Sequence, residues 1–139
     1  MDITDEKLEA LAEYLDIEEE DMEIVWGGEA VEADGGEYRV FTDSEADRAC
    51  RSYIRDTLWA FNADFLIGFT NLPNDAVEMI SNFQESKAED SNEAIYSLVE
   101  DKFNSLVKDA ILSDGRGHFL SPYDGEEIEE GDFFIYRYN

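Results

Sequence analysis

The sequence predicts a single α+β domain, with a small antiparallel sheet of about three strands packed by four or five helices. Strand-like segments lie towards both ends of the chain, helical periodicity dominates its middle, and no internal repeat is visible. At 139 residues, 43% of them hydrophobic, the chain can bury a core without disulfides. We expect one domain over residues 1–139, with a strongly acidic segment at 1–37 and a main body at 38–139.

The N-terminal third predicts one helix and two strands. Apolar residues recur at helical spacing behind Thr4, a residue type that caps helices, so residues 5–16 are predicted to be an amphipathic helix. Residues 22–26 alternate between polar and apolar types and predict a strand, and residues 37–42 predict the returning strand. The stretch GGEAVEADGG between them has glycine pairs at both ends and is predicted to be a mobile hairpin loop.

The middle of the chain predicts helices. Thr42-Asp43-Ser44-Glu45 has the form of a capping box, and a long helix is expected to follow to about Phe61. A short helical turn should end near Gly68, and another helix should begin near Pro73. A helical pattern then extends from Ser91 to about Leu112, which one kinked helix or two short helices would both fit.

The C-terminal part predicts a loop and a strand. In DGRGHFLSPYDG, residues 114–125, Gly115 stands where a helix-ending residue with left-handed backbone belongs. Residues 132–138 are dense in aromatic side chains and predict a strand. Pairing of this strand with the N-terminal hairpin would close the domain.

The net charge is the most unusual property of the chain. Thirty-six acidic and ten basic residues give −26. Residues 1–37 contain 15 acids and one base, a net −14, and residues 38–139 contain 21 acids and nine bases, a net −12. Adaptation to high salt would spread the acids evenly, whereas this excess lies towards one end. The distribution favours a functional role for the charge.

The charge also restricts the class of partner. Duplex DNA carries about one charge per 1.7 Å of axis, so 26 charges correspond to about 44 Å of duplex. A compact chain of this length has a diameter of about 35–40 Å. The protein therefore matches the linear charge density of DNA, and it should repel nucleic acids and anionic membranes and attract basic proteins.

Other features predict an intracellular, cytoplasmic protein. No apolar run approaches the roughly 18–20 residues that span a bilayer, and the acidic N-terminus lacks the basic start of a signal peptide. Cys50 is the single cysteine, so no internal disulfide can form and a reducing compartment is expected. We expect Cys50 to be a small buried hydrophobic residue.

The acidic runs are the candidate partner-binding residues. Isolated charge runs are usually solvated surface, but a solubility requirement is met by far less charge than this chain carries. The predicted contacts are Glu18, Glu19, Glu20, Asp21, Glu29 and Glu32, followed by Glu126, Glu127, Glu129 and Glu130.

The loop at 114–125 holds the only histidine and has a second interpretation. His118 could act as a general base with Asp114 and Asp124 around it, or as a metal ligand with those residues or Glu126. The spacing matches no calcium loop and no zinc pattern. We favour a structural loop, in which Phe119 and Leu120 attach it to the core.

One face of the long helix contains Arg48, Arg51, Arg55 and Trp59. These could be interface anchors, since arginine and tryptophan dominate binding hot spots. They could instead pair within the chain, through contacts with the acidic N-terminal segment and stacking of Arg55 on Trp59.

Two stretches carry a resemblance to known proteins. DGRGHFLSPYDGEE followed by FFIYRYN, and YRVFTDSEADRACRSYIRDTLWAFNADFL upstream, resemble small acidic proteins of unknown function encoded by bacteriophages. The resemblance covers residues 38–139 and is weakest before Glu37. It implies a viral origin and brings no assigned activity.

Together these observations predict a non-enzymatic viral protein without a cofactor or metal. It would mimic nucleic acid and block a basic host protein that normally binds nucleic acid, as anti-restriction and anti-CRISPR proteins do. A homodimer remains open. The alternatives are a small enzyme with a site around His118, Asp114 and Asp124, and a structural or assembly protein of the virion.

Overall fold

The computed structural model describes residues 1–139 and confirms the α+β class. The sheet has five antiparallel strands instead of about three: β1 (Glu23–Val25), β2 (Ala30–Ala33), β3 (Gly36–Thr42), β4 (Ile128–Glu130) and β5 (Phe133–Arg137). Five helices have eight or more residues: α1 (Asp5–Leu15), α2 (Asp43–Asp56), α4 (Val77–Lys87), α5 (Asn92–Val99) and α6 (Phe103–Asp114). Two helices are shorter: α3 (Ala63–Leu66) and α7 (Arg116–Leu120). None of the helices combines the length and the apolar character that crossing a membrane requires.

The chain forms two compact units. The sheet unit comprises Met1–Cys50 and Asp114–Asn139 and contains all five strands, α1, α7 and the start of α2. The helical unit comprises Arg51–Ser113 and contains α3, α4, α5 and most of α6. The boundary that we expected between the acidic segment and the main body, after residue 37, lies within β3. That the whole chain is one domain stays a prediction.

The core of the sheet unit lies between α1 and one face of the sheet. The strand order is β1-β2-β3-β5-β4. Val31 pairs with Tyr38 and Val40 pairs with Ile135, and these four side chains are buried with Leu11 of α1. Each buried apolar side chain of this size contributes about 1.5–3 kcal/mol, so this layer is a main source of stability.

The first strand that sequence analysis missed is β2, which we had predicted to be part of a mobile loop. Asp34 and Gly35 form a two-residue turn with φ angles of 48° and 79° between the paired Ala33 and Gly36. Positive φ at both central residues is typical of a type I′ hairpin turn, for which Asp-Gly is a preferred sequence. The glycine pairs at both ends of GGEAVEADGG led us to predict a loop instead of this hairpin turn.

The second missed strand is β4. Gly131 and Asp132 connect the paired residues Glu130 and Phe133, and only Gly131 of the two has a positive φ, 60°. This pattern is typical of a type II′ turn. Four glutamates around Ile128 concealed the strand, because glutamate has low β propensity.

The helices largely confirm the prediction. Thr42 and Glu45 form the predicted capping box, in which the Glu45 N–H donates to Thr42 Oγ1 and the Thr42 N–H donates to Glu45 Oε1. Helix α2 ends at Asp56 rather than near Phe61, because a 3₁₀ turn replaces its last predicted residues. The pattern after residue 91 forms two helices, α5 and α6.

The helical unit has its own apolar core. Its fully buried large side chains include Ile54, Leu58, Leu66, Ile95 and Leu106. Asn92 is buried and satisfied: its Nδ2 donates to the carbonyl of Arg55 and its Oδ1 accepts from the Trp59 N–H, each at 3.0 Å. This amide holds the start of α5 against the end of α2 and the turn that follows it.

Lys7 is a buried cation in the sheet unit. Its Nζ lies 2.9 Å from Glu45 Oε1 and donates to the carbonyl of Asp2 at 3.0 Å, with only 4% of the side chain exposed. Burial acts to raise the pKa of Glu45, but hydrogen bonds from Thr42 and Lys7 outweigh it and hold the pKa below its ordinary value. The pair attaches α1 to the start of α2.

We predict that Glu45→Gln destabilises the protein at pH 7 and that the difference disappears in acid. A carboxyl with a lowered folded-state pKa contributes stability that is fully present above the unfolded pKa of about 4.5. This contribution is lost as the pH falls through the folded value. Urea unfolding from pH 7 to pH 3 measures it, with Glu13→Gln, on the exposed part of α1, as control. A difference between wild type and Glu45→Gln that is independent of pH would contradict the assignment.

We also predict that Gly117→Ala costs about 1–3 kcal/mol of unfolding free energy, as overpacking typically does. A Cβ at Gly117 would overlap the carbonyl oxygen of Gly125 and lie 2.8 Å from the carbonyl carbon of Glu126, both backbone atoms that cannot rotate away. Gly68→Ala is the control, since a Cβ there meets nothing within 4 Å. Equal unfolding free energies for the two variants would show that the 114–127 segment is free to shift.

Candidate anionic interface

The negative charge is concentrated in the sheet unit. Its 76 residues contain 25 acids and five bases, a net −20, whereas the 63 residues of the helical unit contain 11 acids and five bases, a net −6. Both acidic segments identified from the sequence belong to the sheet unit, because β3 and β5 pair. The fold therefore combines into one unit the charges that lie at opposite ends of the chain.

Three glutamates form a row across the sheet. Glu23 pairs with Glu32, and Glu32 pairs with Glu37, so the three side chains occupy one line across β1, β2 and β3 on the face opposite the α1 core. Neighbouring strands lie about 4.8 Å apart, and like charges directly opposite one another are destabilising. No ion pair compensates any member of this carboxylate row.

Two exposed aromatic rings lie next to the carboxylate row. The Tyr138 N–H donates to the carbonyl of Glu37 at 2.7 Å, and the Tyr138 ring meets the Trp26 ring edge-on, with centroids 4.7 Å apart. Trp26 is 42% exposed and has a φ of 57°, which is rare for a bulky residue. This pair offers the kind of aromatic surface that interfaces use.

Arg39 and Glu29 complete this region. Burial lowers the pKa of Arg39, and the charges of Glu29 and Tyr138 oppose that effect. The guanidinium lies 4.6 Å from the centroid of the Phe41 ring, and its buried Nε has no hydrogen-bond partner. Glu29 is also 3.9 Å from the N-terminal ammonium. Glu29 and Glu32, both predicted contacts, are exposed.

A second acidic feature is a groove along α1, with a volume of about 610 Å³. Its acidic lining comes from α1 and from the start of the 3₁₀ turn Glu19–Asp21 that follows, with the residue before that turn: Asp5, Glu9, Glu18 and Glu19. Its apolar lining is Ala12 and Ile17. Lysine and arginine bury their aliphatic stems while the charged group stays at the surface, so this lining suits a basic side chain. The predicted contacts Glu20 and Asp21 are exposed in the same turn.

The C-terminal acids lie at the other edge of the sheet. Strand β4, which carries Glu129 and Glu130, is separated from β3 by β5, so the fold does not add these residues to the carboxylate row. Glu126 lines a separate cleft. Glu127 is engaged within the protein, where it accepts hydrogen bonds from Arg116 and from the Tyr136 hydroxyl.

Arg116 is the centre of an internal charge network. Its Nη1 lies 2.9 Å from Asp43 Oδ1 and 3.1 Å from Asp47 Oδ1, and its Nε lies 2.7 Å from Glu127 Oε1. Burial acts to lower the pKa of Arg116, but Tyr136, Glu127 and Asp43 outweigh it and raise the pKa above its ordinary value. The network ties α7 and the following loop to the start of α2.

The loop around His118 includes a short helix, α7, that sequence analysis did not predict. Phe119 and Leu120 are buried, as expected for a loop attached to the core. His118 is exposed and its ring meets that of Phe119 edge-on at 4.9 Å. The Asp124 carboxylate accepts hydrogen bonds from Ser121 and from the Glu126 N–H, and none joins His118 to Asp114 or Asp124.

No group of three or more histidine, cysteine, aspartate or glutamate side chains is arranged to hold a metal ion. Cys50 is fully buried, as expected, and burial raises the pKa of its thiol to about 12. This thiol is therefore not an activated nucleophile.

The two arginine anchor candidates of the helical unit, Arg51 and Arg55, make contacts within that unit. Arg55 forms a bidentate ion pair with Glu93, at 2.9 and 3.1 Å, and lies 3.6 Å from the centroid of the Tyr96 ring. Arg55 therefore stacks on Tyr96 and not on Trp59, the stacking that one of the two interpretations of this face had included. Arg51 donates to Asn104 and lies over the Phe103 ring.

The remaining two anchor candidates differ in exposure. Arg48 belongs to the sheet unit and is exposed, without a hydrogen bond or an ion pair. Trp59 is half-buried in the helical unit. Of the four, Arg48 is exposed and makes neither a hydrogen bond nor an ion pair.

Several residues of the candidate interface were not predicted from the sequence: Asp5, Glu9, Glu23, Glu37 and Tyr138. Glu23 and Glu37 lie in strands that were predicted, but their alignment depends on β2, which was not. Asp5 and Glu9 are four residues apart in a helix that was predicted, and this spacing already placed both on one face. Tyr138 carries no sequence signal that separates it from a core aromatic residue.

Comparison of the chain with protein-family models, with curated proteins and with solved structures finds no match.

We predict that neutralising the carboxylate row stabilises the protein. The variant Glu23→Gln/Glu32→Gln/Glu37→Gln removes two facing pairs of like charges, each of which costs about 0.2–1 kcal/mol. Urea unfolding at low salt should show the gain, and added salt should reduce it because salt screens exposed charges. The control, Glu78→Gln/Glu85→Gln/Glu89→Gln, changes the net charge equally at exposed positions of the helical unit. An equal gain in the control would mean that only total charge matters.

Proposed function

We propose that this protein is a non-enzymatic inhibitor that mimics nucleic acid and blocks a host protein that binds nucleic acid. Its target class would be the defence nucleases, either restriction enzymes or RNA-guided effectors, so its action would be of the anti-restriction or anti-CRISPR type. The proposal includes a viral origin and a site of action in the host cytoplasm. The observation that carries it is the concentration of −20 of the −26 net charge in the sheet unit.

The uneven distribution of charge supports a binding role over adaptation to high salt. Solvation in salt would require acids on every surface, yet two units of similar length differ more than threefold in net charge. The carboxylate row supports the same conclusion, because facing glutamates cost folding stability. Residues that oppose stability without an internal partner are commonly retained for function.

The mechanism would be competitive occlusion. Carboxylates of the row and of the α1 groove would accept charge-assisted hydrogen bonds from arginine and lysine residues that otherwise hold phosphates. The negative field would accelerate encounter with a basic channel. Nucleic acid would be excluded because its charge has the same sign as the protein.

The experiment measures displacement of DNA. Fluorescently labelled duplex DNA is bound to each of a panel of purified restriction endonucleases and RNA-guided nucleases, and the protein is added while anisotropy is recorded. We expect release of DNA from at least one nuclease at 50 mM salt. The inhibition constant should weaken steeply with rising salt, since binding of this type depends on ion release.

Two variants of equal charge locate the interface. Glu18→Gln/Glu19→Gln/Glu20→Gln/Asp21→Asn should weaken displacement about tenfold or more and make the salt dependence shallower. The control Glu78→Gln/Glu85→Gln/Glu89→Gln/Asp90→Asn, at exposed positions of the helical unit, should act as wild type. Release of DNA from no nuclease at low salt would overturn the proposed function. Equal loss in both variants would overturn the assignment of these residues.

A further inference from the structure

Strand β1 forms one edge of the sheet, and β2 is the only strand with which it pairs. The N–H and C=O groups of an edge strand that point away from the sheet can pair with a strand of another protein. The turn between β2 and β3 determines which residue of β1 offers these groups. A two-residue turn closes on a hydrogen-bonded pair, which here consists of Ala33 and Gly36.

Ile24 is the residue of β1 whose main chain faces outward. Hydrogen-bonded and non-bonded pairs alternate along antiparallel strands, so the next pair, Glu32 and Glu37, has no main-chain hydrogen bond. In agreement, the Glu37 N–H donates to the carbonyl of Asn139 on the other side of β3. The main chain of Glu32 therefore bonds to that of Glu23 in β1. The N–H and C=O of Ile24 consequently point away from the sheet, and neither has a partner elsewhere in the protein.

Large apolar side chains are exposed along the same edge. Ile24 is 48% exposed, and Trp26 and Tyr138, whose rings meet edge-on, are 42% and 41% exposed. The φ of 57° at Trp26 is one that glycine adopts without cost, and bulky residues held in such conformations cluster at functional sites. Strand β4, at the opposite edge, has no exposed large hydrophobic residue. The β1 edge is therefore the one that offers both main-chain groups and apolar surface.

The two faces of β1 determine which side chains a partner strand should carry. Glu23 lies at the end of the carboxylate row, so the residue opposite Glu23 on an added strand would extend that row. A basic residue fits there, because opposite charges on facing strands attract. Ile24 pairs with Val31 and lies on the α1 face of the sheet, so the residue opposite Ile24 should be apolar. The edge thus favours a strand in which basic and apolar residues alternate.

The aromatic pair favours arginine as the basic residue. A guanidinium stacks on the faces of tryptophan and tyrosine rings and also pairs with carboxylates in a planar, bidentate geometry. A lysine ammonium is a compact, strongly hydrated charge without this planar geometry. Arginine therefore matches both the rings of Trp26 and Tyr138 and the carboxylate of Glu23.

A second copy of the chain does not fit this edge. Two β1 strands that paired with each other would add the Glu23 of each copy to the carboxylate row of the other and would join two strongly acidic units. Like charges that face each other across strands are destabilising. Charge complementarity therefore selects a basic partner.

We propose that the β1 edge binds an extended segment of the target protein, in which arginine and apolar residues alternate, as an additional strand of the sheet. The N–H and C=O of Ile24 would pair with the main chain of this segment. One arginine would pair with Glu23, and another would stack on Trp26. The identity of the partner rests on the proposed function, since the segment would belong to the basic host protein that is blocked.

Isothermal titration calorimetry of the full chain tests the proposal with three capped peptides of equal charge. The alternating peptide is Arg-Val-Arg-Val-Arg, the block peptide is Arg-Arg-Arg-Val-Val, and the third is the alternating peptide with every backbone nitrogen methylated. At about 150 mM salt, which screens exposed charges beyond about 8 Å, we expect the alternating peptide to bind most tightly. The margin should be about tenfold, because the other two peptides lack either the side-chain pattern or the main-chain donors. Equal binding of all three, or no binding, would overturn the proposal.

Variants of the edge locate the contact. Ile24→Pro removes the outward N–H and leaves the hydrogen bonds between β1 and β2, since edge strands tolerate proline where the N–H faces solvent. It should weaken binding of the alternating peptide about tenfold, whereas the conservative variant Ile24→Val retains the N–H and should restore the affinity. If Ile24→Pro is not folded by circular dichroism, Trp26→Gly removes the indole at a position whose φ suits glycine, and the same loss is expected. Wild-type affinity in either folded variant would overturn the assignment.

Two further measurements separate the alternatives. Hydrogen exchange of the Ile24 amide, followed by nuclear magnetic resonance, should slow when the alternating peptide binds. Analytical ultracentrifugation of the protein alone should show a monomer, and a dimer that Ile24→Pro abolishes would assign the edge to a second copy and overturn the proposal. Preference for the alternating peptide without release of DNA from any nuclease would overturn the proposed function alone. Release of DNA without that preference would overturn the edge assignment alone.

Discussion

The pairing of β3 with β5 is the constraint on which the rest of the sheet unit depends. It joins residues 36–42 to residues 133–137, almost a hundred positions later in the sequence. Without it, β4 would have no sheet to extend. The same pairing assembles the two acidic segments into one unit and places Tyr138 beside Glu37.

Three of the five cations of the sheet unit are used internally. Lys7 and Arg116 neutralise carboxylates at the two sides of the α2 start, and Arg39 is partly buried against an aromatic ring. The carboxylates of the row and of the α1 groove have no such partner. Attractive electrostatics thus stabilises the interior, while the repulsive part is left on surfaces where a basic partner could relieve it.

The sequence predicted the fold where local chemistry is strong. Thr4, the Thr42–Glu45 capping box and the aromatic C-terminal strand each have a short-range physical cause, and each is confirmed in the structure. The sequence did not predict β2 and β4, because the strand propensity of both segments is weak. They are short and rich in glutamate or alanine, and they are stabilised by pairing with neighbouring strands. The candidate site followed the same rule. Charge runs identified Glu18 and Glu19, but the alignment of Glu23, Glu32 and Glu37 depends on a register that only the assembled sheet defines.

The chain order of the two units has a consequence for biosynthesis. The helical unit is encoded between the two parts of the sheet unit, so all of its residues leave the ribosome before those of β5. Helical contacts are local and can form as soon as residues 51–113 emerge, whereas β3 must wait with one edge unpaired until residues 133–137 have also emerged. During that interval the open edge of β3 could pair with the same edge of another nascent chain. The high negative charge of the N-terminal segment would keep such chains apart. The repulsion that destabilises the finished sheet would thus protect the incomplete one from aggregation.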